Sequence, residues 1–257
     1  MQDRPSLRIG CVKYLNARPL IHGWSGKVVL DHPSALCAQL ARGDLDVALV
    51  SSFEFLRNPI YRIVDGISIA SDGPVYSVAV AHQAEISDLD EIALDPAAET
   101  SGSLLRCLLK ELKHYAPVVA RSTSSESQRA GRLLIGDQAI RFRQKHANDF
   151  RFWDLGEQWK KVFGLPFVYA IWLVRPEVVD PKSIAEQLRE LRDKNLTNLD
   201  RVIADQHEFD RAFCQRYYRE NLRFTLGESE KQGLRTFAEL CQKHDLLPKR
   251  ELAFNFV

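Results

Sequence analysis

Short apolar runs alternate with amphipathic ones along the first part of the chain, and this alternation most limits the possible folds. Leu7 to Val12 and Leu45 to Ser52 are apolar runs of strand length. Between them, the stretch PSALCAQLARGD places Leu36 and Leu40 on one helical face and stops at Gly43. Strand–helix–strand units of this length are typical of a parallel sheet with right-handed crossovers. The sequence therefore predicts an α/β fold.

Two further apolar runs, Val75 to Ala81 and Phe167 to Val174, bracket a region with strands and helices of its own. This spacing predicts two lobes joined by two crossover strands, with the second lobe inserted into the first. We assign residues 1–80 and 174–257 to the first lobe and residues 81–173 to the second. Each lobe is expected to be a mainly parallel sheet flanked by helices, with a ligand cleft between the lobes.

The overall charge excludes several kinds of partner. The chain carries 35 Lys and Arg residues against 34 Asp and Glu, so nothing favours binding to nucleic acid or to an anionic membrane surface. The first residues, MQDRPSLRIG, contain no long apolar run, and no later run is long enough to cross a bilayer. We therefore expect a cytoplasmic protein. The 5 cysteines form no CxxC pair, which favours buried reduced thiols over a metal site or disulfides.

Polar residues collect at the predicted strand ends that would face each other across the cleft. The candidates are Tyr14, Asn16, Ser51, Ser52, Ser77, Thr100, Ser101 and Asp137. They offer neutral hydrogen-bond donors, and several stand where a helix begins, so that free backbone N–H groups lie beside them. Such groups favour a bound anion. The sequence thus predicts a small-molecule site that holds negative charge without a basic surface.

Taken singly, several of these residues have plainer explanations. Asn16 is typical of a turn, and Thr100 or Ser101 of a helix N-cap. Ser52 and Asp137 could each cap the helix that follows it. Ser77 is harder to explain in this way, because a hydroxyl in an apolar extended run must find a partner in the backbone, in water or in a ligand.

The usual signatures of catalysis are absent from the sequence. It contains no GxSxG, HExxH, P-loop or GxGxxG motif, and its 7 histidines are never spaced as a ligand pair. Glu54 and Glu99 lie near the predicted cleft, where solvated cap or turn roles are the preferred interpretation. We therefore expect neither a metal nor an organic cofactor.

Six motifs follow one another along the chain: YLNARPL, ARGDLDVALVSSFEFLR, GPVYSVAV, LLIGDQAI, DLGEQWKKVFGLPFVYAIW and YYRENLRFTLGESEKQGLRTFAEL. Together, from about Leu7 to Leu240, they resemble the chorismate dehydratases of the futalosine pathway of menaquinone biosynthesis. The resemblance implies a two-lobed fold like that of type II periplasmic binding proteins. It also implies the conversion of chorismate to 3-[(1-carboxyvinyl)oxy]benzoate and water.

The motif match extends to individual positions. It implies that Asn16 and Ser77 are catalytic. The predicted substrate-binding residues are Tyr14, Ser51, Ser52, Thr100, Ser101 and Asp137. The loop DPAAETS departs from the family's usual DxxSxTS pattern, because Ala98 stands where serine is common. This substitution removes one possible hydroxyl contact with the substrate.

Two alternative functions remain open on the sequence. A sister family of the same pathway has the same fold and forms a naphthoate, although YLNARPL fits the dehydratases better. The second alternative is a non-catalytic cytoplasmic protein that binds small anions. The sequence allows a homodimer but identifies no surface for it.

Overall fold

The computed structural model describes residues 7–94, 98–114, 116–119 and 127–257. The strands in these ranges are β1 Ile9–Val12, β2 Val28–Asp31, β3 Val47–Ser51, β4 Arg62–Ser71, β5 Val78–His82, β6 Glu91–Ala93, β7 Val118–Val119, β8 Ala130–Ile135, β9 Arg151–Asp154 and β10 Phe167–Val174. The α-helices are α1 Arg18–Ile21, α2 Pro33–Arg42, α3 Ser52–Arg57, α4 Glu99–Glu111, α5 Gly136–Lys145, α6 Leu155–Phe163, α7 Pro181–Thr197, α8 Leu199–Ala204, α9 Arg211–Arg216 and α10 Glu228–Lys243. A π-helix, Tyr217–Asn221, follows α9. The first three residues of the DPAAETS loop lie outside the described residues.

The strands form two five-stranded sheets, and each sheet is the centre of one lobe. The first sheet has the order β2-β1-β3-β10-β4 and the second the order β7-β6-β8-β5-β9. In each sheet four strands run in one direction and one runs against them, namely β10 in the first and β5 in the second. Both sheets are therefore mixed but mainly parallel. The predicted two-lobed α/β fold with two crossover strands is confirmed.

The two antiparallel strands are the two apolar runs that the sequence marked as crossings. β10 pairs with β3 and β4 of the first sheet, whereas β5 pairs with β8 and β9 of the second. The chain thus leaves the first sheet after β4, which ends at Ser71, and leaves the second sheet after β9, which ends at Asp154. It then returns to the first sheet as β10. The division of the chain into domains at residues 80/81 and 173/174 remains a prediction. The apolar runs alone do not indicate with which sheet each crossing strand pairs.

The first strand–helix–strand unit shows how the sequence builds a lobe. α2 begins at Pro33, whose missing N–H is not needed in a first helical turn, and ends before Gly43 at φ +81°. The helix packs closely on the sheet at Gly10, where an added Cβ would lie 2.8 Å from the end of the Leu36 side chain on α2. A larger residue at this position would displace that side chain.

Apolar packing continues from one lobe into the other. Trp159 on α6 is buried against Phe167 at a ring-centroid distance of 5.0 Å, and Phe167 lies 4.9 Å from Phe237 on α10. These rings belong to one large buried cluster that includes residues of both lobes. The lobes are thus joined behind the cleft by a shared core. Within the described ranges, no helix is long and apolar enough to span a membrane.

A charged contact also joins the lobes, between the ends of α4 and α10. Glu111 Oε1 lies 2.7 Å from Lys243 Nζ and 2.6 Å from His244 Nε2. The Lys243 hydrogen bond, followed by that of His244, lowers the pKa of the Glu111 carboxyl. A carboxyl with a lowered pKa stabilises the fold above its unfolded pKa of about 4.3, and this stabilisation is lost as pH falls through the folded pKa.

We therefore expect Glu111→Gln to lower Tm slightly at pH 7, by the equivalent of about 0.5 kcal/mol, because the pair is partly exposed. The Tm difference between variant and wild type should shrink as the pH falls below about 4, because the unfolded carboxyl is then protonated and the folded one becomes protonated as the pH passes its lowered pKa. Thermal melts of both proteins at pH 7 and about pH 3.5 measure this. A Tm difference of equal size at the two pH values would contradict the assignment.

Candidate active site

The cleft lies between the two sheets, where strand ends of both lobes meet. It contains about 580 Å³ of empty space, part of which is open to solvent. Val12 and Ser51 line it from the ends of β1 and β3, Tyr169 from β10, and Ile135 from the end of β8. The polar residues of the lining are Tyr14, Asn16, Ser51, Ser77, Glu99, Thr100, Ser101 and Tyr169. A cleft between two lobes, lined by apolar residues and a few polar groups, is a common site for a small organic molecule.

Six of the eight predicted residues meet in this lining. They are Tyr14, Asn16, Ser51, Ser77, Thr100 and Ser101. They come from separate stretches of the sequence and from both lobes. The structure thus brings these polar residues together at the strand ends, as the sequence predicted. Their roles towards a ligand remain predictions.

The structure does not bring Ser52 and Asp137 into the lining. Ser52 is buried, and its hydroxyl donates to the carbonyl of Val168 at 2.8 Å, which ties α3 to β10. Asp137 Oδ1 accepts from the backbone N–H of Leu15 at 2.9 Å, and burial raises the pKa of its carboxyl. Both side chains therefore hold cleft-forming segments in place, and Asp137 does so across the lobes.

Asn16 lies in a short 3₁₀ turn, Leu15–Ala17, directly after β1. The turn is held from two sides: Asp137 accepts from the N–H of Leu15, and Tyr218 donates to its carbonyl at 2.8 Å. The Oδ1 atom of Asn16 is buried and has no hydrogen-bond partner among the described residues. A buried acceptor without a partner is destabilising by about 1–3 kcal/mol. Because Asn16 is among the cleft-lining residues, a ligand's donor is a candidate partner for this acceptor.

Ser77 is presented by a strained turn, and here the sequence-based expectation was wrong. The extended run predicted from Val75 to Ala81 is interrupted, and strand β5 begins only at Val78. Tyr76 has φ +67°, in the left-handed region, while the Ser77 N–H donates to the Val75 carbonyl at 2.8 Å. Non-glycine residues in this region are rare and persist at functional sites when the surroundings hold them.

Asp154 holds that strained turn in place. Its buried carboxylate accepts from the N–H groups of Val75 at 3.0 Å and Tyr76 at 2.7 Å. It also accepts from the first turn of α6, from Gly156 and Glu157 at 3.1 Å each. The Asp154 side chain therefore both caps α6 and orients the turn at Val75 and Tyr76 that precedes Ser77.

Two helices of the second lobe begin at the cleft without a side-chain cap. α4 begins after Ala98 and α5 after Ile135, and neither N-cap side chain accepts a hydrogen bond. Thr100 and Ser101 therefore belong to the first turn of α4 and are not its N-cap. The Thr100 hydroxyl is hydrogen-bonded to that of Ser51, across the lobes. The backbone N–H groups at these helix starts are donors that favour a bound anion.

A charged cluster adjoins this site, and it corrects the expectation for Glu54. That residue is buried, which raises the pKa of its carboxyl, so it is not a solvated cap. Arg57 pairs with Glu54 and, at 3.0 Å, with Oε1 of Glu99. The other carboxylate oxygen of Glu99, Oε2, is buried without a partner among the described residues. Cys37 lies within 4.8 Å of both carboxylates, and Arg57, paired with both, supplies positive charge at this cluster.

Known proteins resemble this chain along nearly its whole length. A protein-family model described as menaquinone biosynthesis matches residues 7–243. The chain belongs to this menaquinone-biosynthesis family. A chorismate dehydratase of Thermus thermophilus is 32% identical to it over 255 residues, covering 90% of this chain and 93% of the relative.

Solved structures show the fold that the menaquinone-biosynthesis chain shares. Protein AF1704 of Archaeoglobus fulgidus superposes with a TM-score of 0.73 at 18% identity, covering 94% of this chain and 98% of its own. The periplasmic aliphatic sulphonate binding protein SsuA of Escherichia coli superposes with a TM-score of 0.61 at 13% identity, covering 95% and 94%. The fold of periplasmic binding proteins that the family resemblance implied is confirmed.

Two tyrosines of this menaquinone-biosynthesis family member were missed by the sequence reasoning. Tyr169 lines the cleft from β10, with its hydroxyl 3.3 Å from that of Ser71. Tyr217 donates to Ser77 Oγ at 2.7 Å. Phe213 and Tyr217 stand at helical spacing in the sequence, which is typical of core residues, and both rings are buried. The partner of a buried hydroxyl carries no sequence signal.

Proposed function

We propose that this chain is a chorismate dehydratase that converts chorismate to 3-[(1-carboxyvinyl)oxy]benzoate and water. The observation that carries the proposal is the match, over nearly the whole chain, to a relative of that name. The cleft supports it, since chorismate has two carboxylates and the lining offers helix N-termini and hydroxyls. The described lining contains no Lys or Arg, so helix N-termini and hydroxyls would hold the substrate carboxylates.

The reaction needs little from the protein beyond positioning. The ring carbon that bears the enolpyruvyl ether loses its proton, and the neighbouring ring carbon loses its hydroxyl group as water. The C–H electron pair becomes part of the new aromatic ring, which supplies the driving force. No electron is transferred to or from the substrate, so the overall change requires no redox cofactor.

The proton acceptor in this proposal is the side-chain carboxylate of the substrate itself. Held against the cleft, it is intramolecular to the proton it removes, and such proximity provides a large effective concentration. Asn16 and Ser77 lie in the lining and would orient the ring and hydrogen-bond the departing hydroxyl oxygen or the developing charge. The first turn of α4, with Thr100 and Ser101, would hold a carboxylate.

Two other features belong to the proposal. The enzyme would act in the cytoplasm, on a free small molecule, and a homodimer remains a prediction. The naphthoate-forming sister activity would require a different substrate in the same cleft, and a protein that only binds small anions would leave chorismate intact. Both alternatives differ from the dehydratase in what happens to chorismate.

The test is incubation of the purified, chelator-treated protein with chorismate, followed by mass spectrometry and ultraviolet absorbance. We expect the mass of one water to be lost, with the appearance of an aromatic spectrum, at the same rate with and without added divalent metal. Heat-denatured protein is the control. Unchanged chorismate together with a raised Tm would support an anion-binding protein. If chorismate is neither converted nor bound, the substrate assignment is wrong.

A further inference from the structure

The hydroxyl group of Ser77 has a buried partner that the reaction scheme does not yet use. Tyr217 and Ser77 are both fully buried, and Tyr217 Oη donates to Ser77 Oγ at 2.7 Å. The tyrosine ring is held in place, because it stacks on Phe213 at 5.6 Å with the ring planes 13° apart. Phe213 in turn packs on Tyr76, the strained residue of the serine turn, at 5.3 Å.

Hydrogen-bond accounting shows what this contact does to Ser77. A serine hydroxyl has one proton to donate and two lone pairs to accept with. Its backbone is already satisfied, since the Ser77 N–H donates to Val75 and the Ser77 carbonyl accepts from Gly136 at 2.8 Å. Because Tyr217 occupies a lone pair of Oγ, the Ser77 proton remains available to another acceptor. Ser77 is among the residues that line the cleft, so a ligand atom bound there would be such an acceptor.

The local helix geometry explains how the tyrosine reaches this position. Tyr217 opens the π-helix Tyr217–Asn221, and short π-helical segments occur at functional sites. In this segment two consecutive side chains both face inward: Tyr217 reaches Ser77, and Tyr218 donates to the carbonyl of Leu15, next to Asn16. Burial raises the pKa of the Tyr217 phenol, so it remains a donor.

We propose that Tyr217 is a positioning residue of the dehydration: by donating to Ser77 Oγ, it directs the Ser77 proton towards the departing hydroxyl oxygen of the substrate. This inference rests on the proposed function. In the absence of the tyrosine hydroxyl, the serine proton can turn back to other acceptors, and the oxygen that leaves loses its aligned donor.

The test is a double-mutant cycle of Tyr217→Phe and Ser77→Ala, with kcat and KM for chorismate measured for all four proteins. Phenylalanine keeps the stacked ring and removes only the hydroxyl. We expect Tyr217→Phe to lower kcat about 10- to 30-fold with KM changed less than about 3-fold, and to have no further effect on kcat in the Ser77→Ala background. Tyr61→Phe is the control, because Tyr61 is an equally buried tyrosine outside the cleft lining.

Each other outcome overturns a stated part of the scheme. If Tyr217→Phe lowers kcat by the same factor in both backgrounds, or no more than Tyr61→Phe does, the positioning role is wrong while the dehydratase activity stands. A wild-type protein that does not convert chorismate refutes the proposed function, and the role of Tyr217 in it falls as well. Thermal melts of all variants separate these results from a loss of folded protein.

Discussion

Replacement of Asn16 by alanine is expected to lower kcat for chorismate by about two to three orders of magnitude while the Kd changes by less than about threefold. Asn16 follows β1 in a turn held by Asp137 and Tyr218, and its buried Oδ1 has no partner among the described residues. A preorganised polar group of this kind acts mainly on charge that develops in the transition state, and removal of one such group has effects of this size. Stopped-flow or mass-based turnover gives kcat, and calorimetric titration gives the Kd.

The matched control is Asn148→Ala, which removes an exposed asparagine from the loop between α5 and β9. It should leave both constants unchanged. Equal losses in turnover and affinity for Asn16→Ala would mean that Asn16 is a uniform binding contact, and its catalytic role would be wrong.

A separate substitution, Glu99→Gln, tests whether the substrate carboxylate is the base that removes the ring proton. Abolished turnover with intact chorismate binding in that variant would show that the protein itself supplies the base.

Much of this site was predictable because strand ends are predictable. The apolar runs from Leu7 to Val12 and from Leu45 to Ser52 marked two strands, and polar residues after parallel strands collect at one edge of a sheet. The sequence therefore led to Asn16, Thr100 and Ser101 without any contact being known. The fold followed from the same alternation of strands and helices.

The rest depends on contacts between distant parts of the chain. Ser51 is the last residue of β3 and Ser52 is the first residue of α3. Although they are neighbours, the Ser52 hydroxyl bonds to the carbonyl of Val168 and does not line the cleft. The left-handed turn at Tyr76 exists because Asp154, far along the chain, accepts its N–H group. Local sequence patterns report which residues are buried, but the partner of a buried polar group is set by tertiary packing.

Gly233→Ala adds only one methyl group, yet we expect it to lower the free energy of unfolding by about 3 kcal/mol. In a helix interior the change from glycine to alanine ordinarily stabilises by about 1 kcal/mol. At Gly233 on α10, however, an added Cβ would lie 2.1 Å from the carbonyl oxygen of Pro166. That oxygen belongs to the backbone and can move only if the main chain is displaced. That oxygen also accepts from Trp159 Nε1 at 3.2 Å, so moving it disturbs the shared core as well.

The expected readout is a Tm lowered by roughly 6–12 °C, for a chain of this size, with a matching shift of the urea midpoint. Gly102→Ala is the control, since it is the same change inside α4, where the nearest atoms to the new Cβ are side-chain atoms at 3.3 and 3.4 Å. Its stability should change by less than about 1 kcal/mol. The two substitutions differ chiefly in backbone proximity, so similar Tm values for both would show that α10 does not press on the Pro166 carbonyl. In that case the lobes would be joined less tightly behind the cleft than the packing of Trp159 and Phe237 indicates.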